Sequence, residues 1–133
     1  MSYGSSVSLD VPFSEAVARV RAALAGQGFG VLTEIDVTAT LQAKLGEQIE
    51  DYVILGACNP PLAHRALAAD RSIGLLLPCN IVVRATPGGT VVEALDPQIM
   101  ATLTGRPELK PVADEAARRL AAALAGLKKR EQE

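Results

Sequence analysis

The residues able to do chemistry crowd into one stretch, residues 52–80, YVILGACNPPLAHRALAADRSIGLLLPCN. It holds both cysteines, Cys58 and Cys79, and the single histidine, His64. Each cysteine is followed by an asparagine, Asn59 and Asn80. A thiol just ahead of a helix start is a candidate thiolate, because backbone N–H groups and the helix dipole favour its charge. If the strands carrying the two cysteines are neighbours, the pair forms a redox couple or a soft-metal site, with His64 assisting. The competing reading is packing, since cysteine is a small apolar side chain that is commonly buried and inert. His64 lies six residues beyond Cys58. Neighbours on a helix are three or four residues apart, so the default for His64 is a surface position. Asn59 and Asn80 offer amides to a ligand, or simply cap and turn the backbone. Asp96-Pro97 repeats Asn59-Pro60 at the end of another strand, which makes Asp96 an acid/base or a cap. The candidate ligand-binding set is therefore Cys58, Asn59, His64, Cys79, Asn80 and Asp96.

No catalytic residue or cofactor can be named. The sequence contains no G-x-S-x-G, H-E-x-x-H or dinucleotide fingerprint. The turn Pro87-Gly88-Gly89 carries no lysine and opens no helix, so it is not a phosphate cradle. Two cysteines and one histidine are too few for a structural zinc site unless carboxylates or a second subunit contribute. Arg65 and Arg84 are anion ligands or, more simply, solvated charges.

These residues need elements to hold them. Val7, Leu9 and Val11 alternate with polar residues, the period of a half-buried strand. Pro12 ends it, Ser14 is placed to cap a helix, and Ala16, Val17, Val20, Ala23 and Leu24 form that helix's apolar face. A second strand spans 30–35. Asp36 caps a short helix bearing Val37, Leu41 and Leu45, stopped by Gly46. The apolar run 52–57 is a strand buried on both faces or central in the sheet. Asn59 caps the next helix, with Pro60 in its first turn. Residues 73–77 read as a strand, Pro78 as an edge or bend, and 81–83 as its continuation. Residues 90–95 return as a hairpin. Asp96-Pro97 opens a short helix with Ile99, Met100 and Leu103 facing inward. The final helix spans about 112–127, with Asp114–Arg118 and Glu115–Arg119 as pairs on its wet side. Helix-separated strands followed by a hairpin give an α+β fold: one domain, a mixed, mostly antiparallel sheet, and helices packed on it.

The bulk properties fit one domain. The chain has 133 residues, 49% of them hydrophobic and only 3% aromatic, so Val, Leu, Ile and Ala must build the core. The net charge is -2 and there is no basic stripe, which argues against nucleic acid. Lys128-Lys129-Arg130, followed by Glu131 and Glu133, reads as a solvated, mobile tail over 128–133, outside an ordered core of about 5–127. No apolar run reaches the length of a membrane span, and the first residues lack the pattern of a secretion signal. A cytoplasmic setting with reduced thiols follows.

Several spaced motifs match one prokaryotic family in order. They are Pro12-Phe13-Ser14-Glu15-Ala16-Val17, Gly28-Phe29-Gly30-Val31-Leu32, Leu55-Gly56-Ala57-Cys58-Asn59-Pro60, Gly74-Leu75-Leu76-Leu77-Pro78-Cys79-Asn80, and Asp96-Pro97. Over about residues 5–125 the chain resembles the domain-of-unknown-function family number three hundred and two. The resemblance implies a compact α+β domain that tends to form homodimers, and implies no activity. Many members have Gly before Asn-Pro and lack the second cysteine, so Cys58 and Cys79 mark a subgroup. The leading expectation is a non-enzymatic homodimeric module that binds a small ligand or a partner protein. Its dimer contact would come from the apolar final helix or an exposed sheet edge. The alternative is a thiol-dependent redox or soft-metal protein using Cys58 and Cys79.

Overall fold

The computed structural model of the protein describes residues 2–131. Five strands form one sheet in the order β1-β5-β4-β3-β2, and every pairing is antiparallel. The strands are β1 (Gly4–Leu9), β2 (Gly30–Asp36), β3 (Tyr52–Cys58), β4 (Cys79–Thr86) and β5 (Gly89–Leu95). The helices are α1 (Phe13–Gly26), α2 (Val37–Leu45), α3 (Pro60–Ala69), α4 (Ile99–Thr104) and α5 (Lys110–Glu131). The α+β class expected from sequence is correct, and the sheet is antiparallel throughout. Among the described residues no helix is long and apolar enough to cross a membrane.

Alternation along the central strands decides which side of the sheet is covered. Val53, Leu55, Ala57, Ile81, Val83, Val92 and Ala94 point to one side and are buried against Ala16, Val20 and Leu24 of α1 and Leu120, Ala123, Leu124 and Leu127 of α5. Their partners in the alternation, Tyr52, Ile54, Val82, Val91 and Leu95, point the other way and are only half-buried. A second cluster joins Leu62 and Ala66 of α3, Ile73, Met100 of α4, and Leu109, Val112, Ala113 and Ala116 along the start of α5.

Several local expectations change. Residues 73–77 are not a strand: a 3₁₀ segment, Arg71–Leu76, occupies this region. Asp70 caps it by accepting from Ser72 N at 3.0 Å, and only Ile73 is buried while Leu75 is 89% exposed. The chain joins the sheet after the cis Leu77–Pro78 bond, at Cys79. Gly56 makes room there, because a Cβ on it would sit 2.7 Å from Pro78 Cγ and closer still to Thr33 Oγ1. Ser14 does not cap α1, which starts one residue earlier, at Phe13, with Pro12 in the N-cap position and no side-chain cap. Leu103 faces solvent rather than inward, leaving Met100 as the buried anchor of α4. On α5, Glu115 pairs with Arg119 at 2.9 Å as expected, but Asp114 pairs with Lys110 and Arg118 with Glu115. Helix α5 also continues through the basic cluster, where Lys128 donates to Ser8 O at 2.6 Å. The rest of the expected tail, Gln132 and Glu133, lies outside the described residues.

Candidate functional site

Strands β3 and β4 are neighbours, with Ala57 opposite Cys79, so Cys58 and Cys79 sit diagonally across adjacent strands. Both line a cavity closed by Phe29, Leu62, Met100 and Ala116. Here the sequence placed the residues well: two distant cysteines meet where a helix begins. The cavity nonetheless has only about 30 Å³ of room for the centre of a water molecule. That is space for one or two waters and not for an organic ligand.

The chemistry of the pair follows from its surroundings. Burial pushes the Cys79 thiol up to about 11, and the nearby Cys58 adds to the shift by repelling a second negative charge. At neutral pH Cys79 is therefore a thiol, whereas the thiolate is the nucleophile and metal ligand. The helix start offers Cys58 little help. Pro60 and Pro61 have no N–H, Leu62 N is taken by Asn59 Oδ1 at 3.2 Å, and Ala63 N by Asn59 O at 2.9 Å. The activation anticipated from sequence thus lacks free first-turn donors. Both cysteines are unpaired. Among the described residues no group of three or more His, Cys, Asp or Glu converges in a way that would hold a metal.

The remaining candidates scatter. Asn59 is 8% exposed and caps α3. His64 lies on the exposed side of α3 and does not line the cysteine cavity. Asn80 is exposed and borders a separate depression with Tyr52, Val82 and Glu93. Asp96 Oδ1 accepts from Gln98 N at 2.9 Å, shaping the turn into α4. Arg84 is held by Glu93 across the β4–β5 pair at 2.9 Å. The structure brings Cys58, Asn59 and Cys79 together, and leaves His64, Asn80 and Asp96 apart.

The notable surface is elsewhere. Helix α2 has no buried residue at all. Leu45 is 68% exposed, and Leu32 and Ile35 on the neighbouring edge strand β2 are also exposed. The signal was present in sequence as the stripe Val37, Leu41, Leu45, but a stripe alone does not say that its own chain leaves Val37 and Leu41 half-buried and Leu45 exposed.

An antiparallel sheet with α1 and α5 packed on one side and a half-buried row on the other defines an α+β scaffold. The protein belongs to the family described as Domain of unknown function DUF302, which it matches over residues 5–127. It is similar to a crystal structure of an uncharacterized conserved DUF302 protein from Bacillus stearothermophilus. That similarity has 33% sequence identity and a TM-score of 0.87, and covers 94% of this chain and 98% of the other. No curated protein matches the sequence.

Proposed function

We propose that this domain is a non-enzymatic module that works as a homodimer, with α2, the β2 edge and the half-buried side of the sheet as its contact surface. The observation that carries this reading is α2 itself. A helix of nine residues with no fully buried side chain, tied down by its Asp36 cap and by Thr38, which donates to Glu50 O at 2.7 Å and accepts from Tyr52 N at 2.8 Å, is only marginally stable in water. Val37 and Leu41 are only half-buried within their own chain and Leu45 is 68% exposed, so the stripe keeps apolar surface for a partner. Leu32 and Ile35 on β2 and Ile49 in the loop after α2, exposed at 67%, 49% and 36%, add further exposed apolar surface. Strand β2 is also a sheet edge with one row of unpaired backbone groups, the usual template for a second chain.

A two-fold contact would set α2 of one copy against the half-buried row Ile54 and Val82 of the other, and reciprocally. The alternative contact expected from sequence, the apolar face of the last helix, is not available. Leu120, Ala123, Leu124 and Leu127 are already buried against α1 and the sheet. Two unpaired cysteines suit a reducing cytoplasm, which is part of this reading. With so small an internal cavity, any small molecule or partner protein is met on the outside.

Sedimentation equilibrium of the native chain beside a Leu41→Lys, Leu45→Lys variant tests the proposal. The native protein is expected at twice the chain mass of 13.9 kDa and the variant at the single mass. A native monomer, or a variant that still pairs, would overturn it.

A further inference from the structure

A second recess lies at the opposite end of Asn59 from the cysteine cavity. It is a cleft of about 540 Å³ between the α1–β2 turn, the start of α3 and α5, bordered by Gly28, Asn59, Pro61, Arg65, Glu115 and Arg119. Asn59 is buried, and its Oδ1 is committed to Leu62 N. That bond fixes which end of the amide is which, and leaves Nδ2 as a donor with no protein acceptor among the described residues. A buried donor without an acceptor is costly, so its placement calls for a reason.

Gly28 shows where that donor lies. Its φ is +83°, and a Cβ built on it would lie 2.9 Å from Asn59 Nδ2 and 3.1 Å from Arg119 Nη1. Both nitrogens therefore lie beside the same glycine at the wall of the cleft, where no side chain fills the space. Arg119 donates from Nε to Glu115 at 2.9 Å and from Nη1 to Gln27 O at 3.0 Å, which anchors the guanidinium. Its Nη2 has no acceptor among the described residues. Arg65 is exposed at the cleft mouth and forms no ion pair among the described residues. The helix start contributes its dipole but no hydrogen bonds, since its first N–H groups are missing or occupied.

The geometry points to a binding site for a singly charged carboxylate, held by Asn59 Nδ2 and Arg119, with Arg65 supplying long-range attraction. The charge count favours one negative charge over two: Arg65 and Arg119 stand against Glu115, leaving one positive charge in the lining. A second negative charge on the ligand would meet Glu115. Arginine forks suit the planar two-oxygen group. This site stands independently of the dimer contact, because α2 and β2 contribute nothing to it.

A titration followed by ¹H–¹⁵N NMR tests it, using sodium acetate as probe, sodium chloride at matched ionic strength as control, and sodium phosphate as the doubly charged arm. Acetate is expected to move the Asn59 side-chain amide pair and the Gly28 amide saturably. Phosphate is expected to act more weakly, and chloride not at all. Asn59→Asp keeps the capping oxygen but replaces the donor with a negative charge, and should abolish the response. Arg65→Gln, at an exposed residue, should weaken it by roughly two- to fivefold. The proposal is overturned if acetate produces no saturable shift, if chloride produces the same shift, if phosphate binds more tightly at these residues, or if Arg65→Gln and Asn59→Asp titrate like the native protein. Should Asn59→Asp fail to fold, the Arg65→Gln titration alone decides.

Discussion

The two sides of the sheet are built from strands of the same composition and meet different fates. On one side, Leu55, Ile81, Val83 and Val92 vanish beneath α1 and α5, each at 1% exposure or less. On the other, Ile54, Val82 and Val91, their immediate neighbours in sequence, keep part of their surface in water. Helix α2, which would be the natural cover, buries none of its own residues. The apolar surface left on this side is what the proposed self-association would cover. The difference teaches that one side of the sheet carries the main core while the other keeps apolar surface that the proposed contact would use.

The sharpest way to break this comparison is to truncate a residue on each side. Leu55→Ala removes a fully buried side chain and should cost about 2–5 kcal/mol of folding stability in urea melts. Ile35→Ala, on the exposed edge, should change the stability of a single folded chain by less than about 0.5 kcal/mol while weakening self-association. Equal losses at both positions would erase the distinction.

The next effect concerns the cysteine cavity, which belongs to the covered side. A thiol titrating at about 11 when folded, against an ordinary value of 9.0, binds its proton more tightly in the folded state. The folded form is thus favoured at low pH, and that contribution is complete below 9.0 and lost as pH rises to about 11. It amounts to about 2–3 kcal/mol. Denaturation curves of native protein and Cys79→Ala should therefore converge in slope below this window and diverge within it. Parallel curves across the window would show that Cys79 is not shielded. Thiol reagents at neutral pH should leave Cys79 largely unmodified.

A smaller effect sharpens the account of how the cavity is sealed. Gly56→Ala forces a methyl group against Thr33 and Pro78, and should cost about 1–3 kcal/mol in the same melts. A neutral substitution would mean that Pro78 is free to move away. Smallest are the caps: Asn59→Ala should cost about 1 kcal/mol and Ser14→Ala close to nothing, because only Asn59 bonds its helix.

Much of this was legible in the residues. Periodicity of two in β1 and of 3.6 in α1 and α5 named the elements, and Asn59-Pro60 marked the start of α3. The proximity of Cys58 and Cys79 was also foreseeable, given adjacent strands. What sequence could not supply was the state of the thiol site. That depends on two prolines and a side-chain cap using up a helix end, and on a cavity whose size only packing determines. The strand expected over 73–77 failed because its apolar run carries no information on burial; Leu75 turned out to be solvated. The cleft beside Gly28 was invisible for a related reason. Its donors come from positions 59, 65 and 119, which no local spacing connects.

Whether a second copy keeps α2 folded is read directly by amide hydrogen exchange. In the native protein the α2 amides should be protected well beyond an isolated peptide of that length, and in an Ile35→Lys variant that no longer pairs they should lose that protection while α1 keeps its own. Unprotected α2 amides in the native protein, or protection that survives in the unpaired variant, would contradict that role of the second copy.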